Sequence, residues 1–185
     1  MNKKLRNALI ITGAVIAVGM IALKVFETNM RKLSPPQTAE FTQGDLKMEV
    51  IYCSPAKKDR NIFGELIPFG EVWRTGANEA TLFTSSKDFK FNGQEVKAGT
   101  YTLWTIPGEK EWKVMLNSKM YAWGIHMSGE AQREGEFDVA TATVAVMPLA
   151  SVEENLKIAI QQQEELNMSI AWDQTKVKVP LEVVQ

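Results

Sequence analysis

The run Ala8–Leu23, ALIITGAVIAVGMIAL, holds sixteen residues and no charge. A water-soluble fold has no use for it as a surface helix, because it offers no polar side to turn outward. Val25 and Phe26 prolong it past Lys24, whose long side chain can snorkel to an interface, so residues 8–26 come close to the roughly 20 that a helix needs to cross a bilayer core. Lys3, Lys4 and Arg6 form a basic n-region ahead of it. No small-x-small cleavage site follows it; Lys24, Val25, Phe26 and Glu27 do, and the nearest cysteine is Cys53. The segment therefore reads as an uncleaved, single-pass signal anchor. Lys24, Arg31 and Lys32 put positive charge on the far side as well, so loop charge discriminates poorly between the two orientations. The order of n-region, apolar core and domain places residues 1–7 in the cytoplasm and the C-terminal domain in the periplasm, on the inner membrane. Residues 27–42 are expected as a linker, stiffened by Pro35 and Pro36.

Removing this basic N-terminus changes the charge picture of the remainder. The chain has 21 Lys/Arg and 22 Asp/Glu, but residues 34–185 carry 15 basic against 21 acidic side chains. No basic stripe is present to neutralise phosphates, which argues against a nucleic-acid partner. A single cysteine excludes an internal disulfide, and a single histidine, His126, leaves metal chemistry thinly supplied; no metal or cofactor is expected.

Beyond residue 43 the dominant period is two, the signature of half-buried strands. Leu46, Met48, Val50 and Tyr52 alternate with Lys47, Glu49, Ile51 and Cys53, and Ala80–Ser85 is a second candidate strand. Asn92-Gly93 separates two short alternating runs within Phe89–Val96, a strong hairpin signal. Thr100–Ile106, the turn Pro107–Glu111 and Trp112–Leu116 form a second hairpin. Residues 118–136, with Gly124, Gly129 and Gly135, read as a long loop. Four closing strands are expected at Val139–Val146, Leu156–Gln162, Leu166–Asp173 and Lys176–Val184, with Pro180 confining the last to an edge or a non-bonding position. Eight or nine strands without a long amphipathic helix predict an all-β fold, an antiparallel β-sandwich or jelly-roll-like domain over residues 43–185 behind one N-terminal transmembrane helix.

The segment Ile62–Thr81 fits no generic strand, since Trp73, Arg74, Asn78 and Glu79 crowd into seven positions beside Gly76. Two readings of these residues remain open. In one, Trp73 fills the core, Gly76 supplies a special backbone angle, Arg74 pairs with Glu79 and Asn78 caps backbone groups. In the other, Arg74 is a fork for carboxylate or phosphate, Asn78 and Glu79 are hydrogen-bonding partners, and Trp104 or Trp123 is a stacking face for a sugar or aromatic group. Cys53 with His126 lacks the marks of a nucleophile and its base, because a cysteine among apolar strand residues behaves as a small hydrophobe. The acidic pairs Glu109/Glu111, Glu153/Glu154 and Glu164/Glu165 are explained by surface solvation.

The runs Tyr52–Pro55, Arg60, Ile62–Gly64, Val72–Thr81, Ala98–Leu103, Ile106–Gly108 and Trp112 together resemble the DUF2911 family, bacterial envelope domains without an assigned reaction. The resemblance covers roughly residues 43–185 and is most specific at Trp73-Arg74-Thr75-Gly76-Ala77-Asn78-Glu79. It implies a β-rich envelope domain and draws attention to Arg60 and the Trp73–Glu79 run. The commoner leader of the family is secretory or lipoprotein-like, from which this apolar anchor departs. The expected function is a membrane-anchored binding module for a small ligand, glycan or envelope protein. The alternatives are a hydrolase using Glu79 as base with Arg74 stabilising an anion, or a structural interaction domain.

Overall fold

A computed structural model describes residues 2–184. They divide between Leu33 and Ser34 into two units, each taken by itself below. In the first, α1 (Lys3–Leu33) is one unbroken helix. Its apolar side chains from Leu9 to Phe26 are exposed, and the helix is long and apolar enough to cross a membrane. At 1.5 Å per residue its 31 residues span about 46 Å, more than the roughly 30 Å of a hydrocarbon core. Arg31 and Lys32 in the last turn complement the negative end of the helix dipole.

The second unit is antiparallel β throughout, in two sheets. Strands β1 (Pro36–Gln43), β2 (Leu46–Cys53), β3 (Leu82–Ser85), β4 (Phe89–Phe91), β5 (Gln94–Val96), β6 (Gly99–Ile106), β7 (Glu111–Asn117), β8 (Asp138–Ala145), β9 (Met147–Gln162) and β10 (Leu166–Val183) follow one another along the chain. One sheet runs β1-β2-β3-β6-β7-β8 and the other β5-β4-β10-β9. The core lies between them. Met48, Val50, Phe83, Leu103, Val114, Leu116 and Ala142 from the first sheet meet Phe89, Phe91, Leu156, Ile158, Met168, Ile170, Val177 and Val179 from the second. Each fully buried large side chain contributes about 1.5–3 kcal/mol, and together they offset the entropy of ordering the chain.

Both hairpins form as the turn chemistry requires, with Asn92 and Gly93 at positive φ between β4 and β5. Residues 118–136 are a loop as expected, closed by a short 3₁₀ turn at Gly135–Phe137. Two local expectations change. The stretch 27–42 is helix to Leu33 and strand from Pro36, so only Ser34 and Pro35 join α1 to β1. The two segments expected at 166–173 and 176–184 are one strand, β10, and its partner β9 starts at Met147 rather than Leu156. The polar run Asp173-Gln174-Thr175 that looked like a break is a bulge, with Asp173 at φ 55° and its carboxylate 3.3 Å from Lys57 Nζ. Pro180 takes the non-bonding position expected of it, since β10 is interior by sheet order but its ladder to β9 ends at Lys176. There it accepts a hydrogen bond from Asn92 N and has no neighbour to miss its absent N–H.

One end of the sandwich is closed by Ile62–Thr81. Trp73 exchanges both backbone hydrogen bonds with Thr105 at 2.7 and 2.9 Å, taking up beside β6 the place that β3 vacates. Its indole stacks on Trp172 (centroids 6.0 Å, planes 19° apart) and meets Phe63 and Trp112 edge to face. Trp73 thus belongs to the core, and its Nε1 donates to Gly76 O at 3.2 Å.

Candidate functional site: the Arg74 cluster over Cys53

The alternation of β2 turns Met48, Val50 and Tyr52 into the main core and leaves Cys53 on the opposite face. The chain segment after Trp73 lies directly on that face. A Cβ on Gly76 would stand 3.1 Å from Cys53 O and 3.1 Å from Thr81 Oγ1, so any other residue here would have to push both neighbours back by a few tenths of an ångström. The left-handed backbone conformation expected at Gly76 occurs instead at its neighbours, Thr75 (φ 56°) and Asn78 (φ 58°). Asparagine accepts that region readily, but a β-branched threonine does not. Thr75 is held there by its buried hydroxyl, 3.1 Å from Thr105 Oγ1, and by its carbonyl, which accepts from Thr81 Oγ1 at 2.9 Å. Strain of this kind costs on the order of 1–3 kcal/mol and persists where surrounding contacts over-determine it.

The double reversal at Thr75 and Asn78 brings three polar side chains together over the thiol. Cys53 Sγ donates to Glu79 Oε2 at 3.3 Å. Asn78, only 2% exposed, donates from Nδ2 to Ser34 O at 3.3 Å and also hydrogen-bonds the thiol. Arg74 is half-buried; its stem packs on Gly124, whose φ of +82° lets the loop pass beneath it, and one of its terminal nitrogens donates to Trp123 O at 3.3 Å. Burial lowers the pKa of Arg74, opposed by the nearby Cys53 and Glu79. Burial likewise raises the Cys53 thiol pKa; the Asn78 hydrogen bond works against that rise, and the hydrogen bond and charge of Glu79 add to it. The thiol is therefore a proton-holding donor rather than a nucleophile.

Of the residues anticipated from sequence, Arg74, Asn78 and Glu79 converge here, and Trp123 joins them through its main-chain carbonyl. Trp73 anchors the segment from the core side. Trp104 offers no stacking face, since it is fully buried, donating to Thr102 Oγ1 at 2.9 Å with Tyr121 edge-on at 5.3 Å. The exposed Arg60 binds its own turn, donating to the carbonyls of Lys57 and Ala56. Sequence reasoning undervalued Cys53, placing it among apolar neighbours when its parity aligned it with Lys47 and Glu49. Gly124 was noted only as a loop former. The partner of Cys53 is Glu79, while His126 is exposed in a tight turn closed by Gly129 N donating to its carbonyl.

Among protein families, residues 34–181 match the one described as protein of unknown function (DUF2911). Comparison with curated proteins and with solved structures finds no match.

Proposed function

The chain belongs to the DUF2911 family, whose description assigns no reaction, and we propose that it is a membrane-anchored binding module that takes a small anionic ligand or glycan at Arg74. The observation that carries this reading is the state of the guanidinium. Its stem is fixed over Gly124 and one N–H is committed to Trp123 O, yet no Arg74 nitrogen is among the sealed, unpartnered polar atoms of the described residues. The residue is half-buried, so the guanidinium is partly desolvated while its stem is held in place. A half-desolvated, pre-positioned planar fork of this kind suits a carboxylate, a phosphate or vicinal sugar hydroxyls, with little ordering left to be done on binding.

The same reading takes α1 as an uncleaved anchor in the inner membrane, with Lys3, Lys4 and Arg6 on the cytoplasmic side and the β-domain in the periplasm. The test is a thermal-shift series on the full chain in detergent micelles against hexuronic acids, dicarboxylates and inorganic phosphate. A ligand specific for the native state raises the melting temperature of the parent and leaves that of Arg74→Lys unmoved. Absence of any shift across the panel rejects the reading. A second reading, a purely structural clasp, is favoured by the Arg74 to Trp123 hydrogen bond, which ties the Ile62–Thr81 segment to the 118–136 loop.

A further inference from the structure

The six-stranded sheet ends on one side at β8 and on the other at β1, and the two edges are finished differently. The backbone of β8 is capped at Thr141: the side-chain amide of Gln94 donates to Thr141 O at 2.6 Å and accepts from Thr141 N at 3.2 Å, imitating a strand neighbour at that point. Among the described residues no side chain makes an equivalent pair of hydrogen bonds with β1. Ser54 N donates to Pro35 O, so in the register Pro36↔Cys53 to Gln43↔Leu46 the bonded pairs are Gln37/Tyr52, Ala39/Val50 and Phe41/Met48. Thr38, Glu40 and Thr42 fall between them, with their N–H and C=O groups turned away from β2. Ser86 N donating to Lys47 O agrees, since it commits Lys47, opposite Thr42, to β3. All three outward residues are exposed, while Ala39 and Phe41 hold the strand to the core. Strand β9 of the second sheet approaches β1 without forming a ladder.

Charge then selects what fits this edge. Glu40 stands directly opposite Glu49 in a non-bonded pair, the arrangement in which cross-strand side chains are closest. Two like charges so placed disfavour the pairing, and no ion pair to either is formed among the described residues. A second copy of this chain is a poor occupant, because the antiparallel register using all three outward residues sets Glu40 against its own copy. We propose that β1 is a strand-addition site for an extended segment of a partner protein that carries Lys or Arg opposite Glu40. Main-chain hydrogen bonds from Thr38, Glu40 and Thr42 supply the affinity, and the Glu40/Glu49 pair supplies the selection.

The test uses the full chain in detergent micelles and a fluorescent peptide of alternating threonine, valine and lysine, with a second peptide in which glutamate replaces lysine. The lysine peptide is expected to bind at least about tenfold more tightly than the glutamate one and to slow amide exchange at Thr38, Glu40 and Thr42. Glu40→Lys should invert the preference between the two peptides. Thr38→Pro removes one outward N–H without breaking a bond to β2, and should weaken binding while the melting temperature holds. Equal affinity for both peptides, binding without protection of these amides, or no binding at millimolar peptide overturns the proposal. So does self-association of Glu40→Ala without peptide binding, which would make Glu40 merely a guard against edge pairing.

Discussion

The thiol of Cys53 and the carboxylate of Glu79, 26 positions apart in sequence, meet at 3.3 Å on the face of β2 turned away from the main core. The contact couples the end of a strand to the loop that carries Arg74, and it makes the cysteine a hydrogen-bond donor whose proton the fold retains.

Thiol chemistry at Cys53 should therefore be slow. Alkylation of the native chain by iodoacetamide at pH 8 is expected to lag far behind that of the urea-unfolded chain, because burial raises the thiol pKa and little thiolate is present. Native and unfolded chains reacting at equal rates would show the thiol to be open and unperturbed.

Stability should fall on the alkaline side. Burial raises the pKa values of Cys53, Tyr52 and Tyr101 alike, so the folded chain holds protons that the unfolded chain releases. Below the unfolded thiol value of about 9 this linkage has no effect; as pH rises from there toward the folded values, stability is lost. Urea midpoints between pH 7 and 11 should decline above about pH 9, and Cys53→Ala should remove the earliest part of the decline at a cost near 1 kcal/mol at pH 7.

Gly76→Ala tests the close approach over β2. The new methyl would press on the main-chain carbonyl of Cys53, at the end of β2, and on Thr81 Oγ1, which already donates to Thr75 O. A loss of about 1–3 kcal/mol is expected, read from chemical denaturation. Gly135→Ala is the control, since its nearest contact, Arg133 Nη2 at 3.5 Å, is at ordinary van der Waals distance, and a change within about 0.5 kcal/mol is expected there.

Asn78 and Arg74 should separate architecture from recognition. Asn78→Ala removes a buried donor to Ser34 O and puts alanine at positive φ, for a combined cost of about 2–4 kcal/mol. Arg74→Met gives up one hydrogen bond to a carbonyl but also relieves a half-buried cation of its desolvation, so the net loss should stay near 1–2 kcal/mol while ligand-induced shifts disappear. A loss from Arg74→Met as large as that from Asn78→Ala would favour the structural clasp.

Alkaline phosphatase fused to the C-terminus of the full chain should be active in intact cells, as an enzyme that matures only outside the cytoplasm. Inactivity of that fusion, with activity of a cytoplasmic reporter at the same junction, would reverse the proposed orientation.

The apolar helix, the two tight hairpins and the all-β class were legible in the sequence because each rests on local chemistry. An uncharged run has no polar face to solvate, Asn-Gly accepts the positive φ of a hairpin turn, and a period of two declares a strand with one buried side. Polar breaks misled where tertiary contacts override local preference. Leu166–Asp173 and Lys176–Val184 read as separate strands across a polar break, whereas they are one strand bulged at Asp173, whose carboxylate meets the Lys57 ammonium 116 positions earlier. Pro36 looked like linker because proline lacks an N–H, a lack that an edge strand does not feel. Arg74, Asn78 and Glu79 could be singled out from their density along the chain, but not their partners: Cys53, Ser34 and Trp123 are distant in sequence, and their approach depends on how Gly76 and Gly124 let two loops settle on one sheet face. Sequence by itself determined which residues must be buried and which must turn. Which buried surfaces face one another, and hence what covers Cys53 on its side of β2 and which edge of the sheet stays open, was decided by packing between segments far apart in the chain.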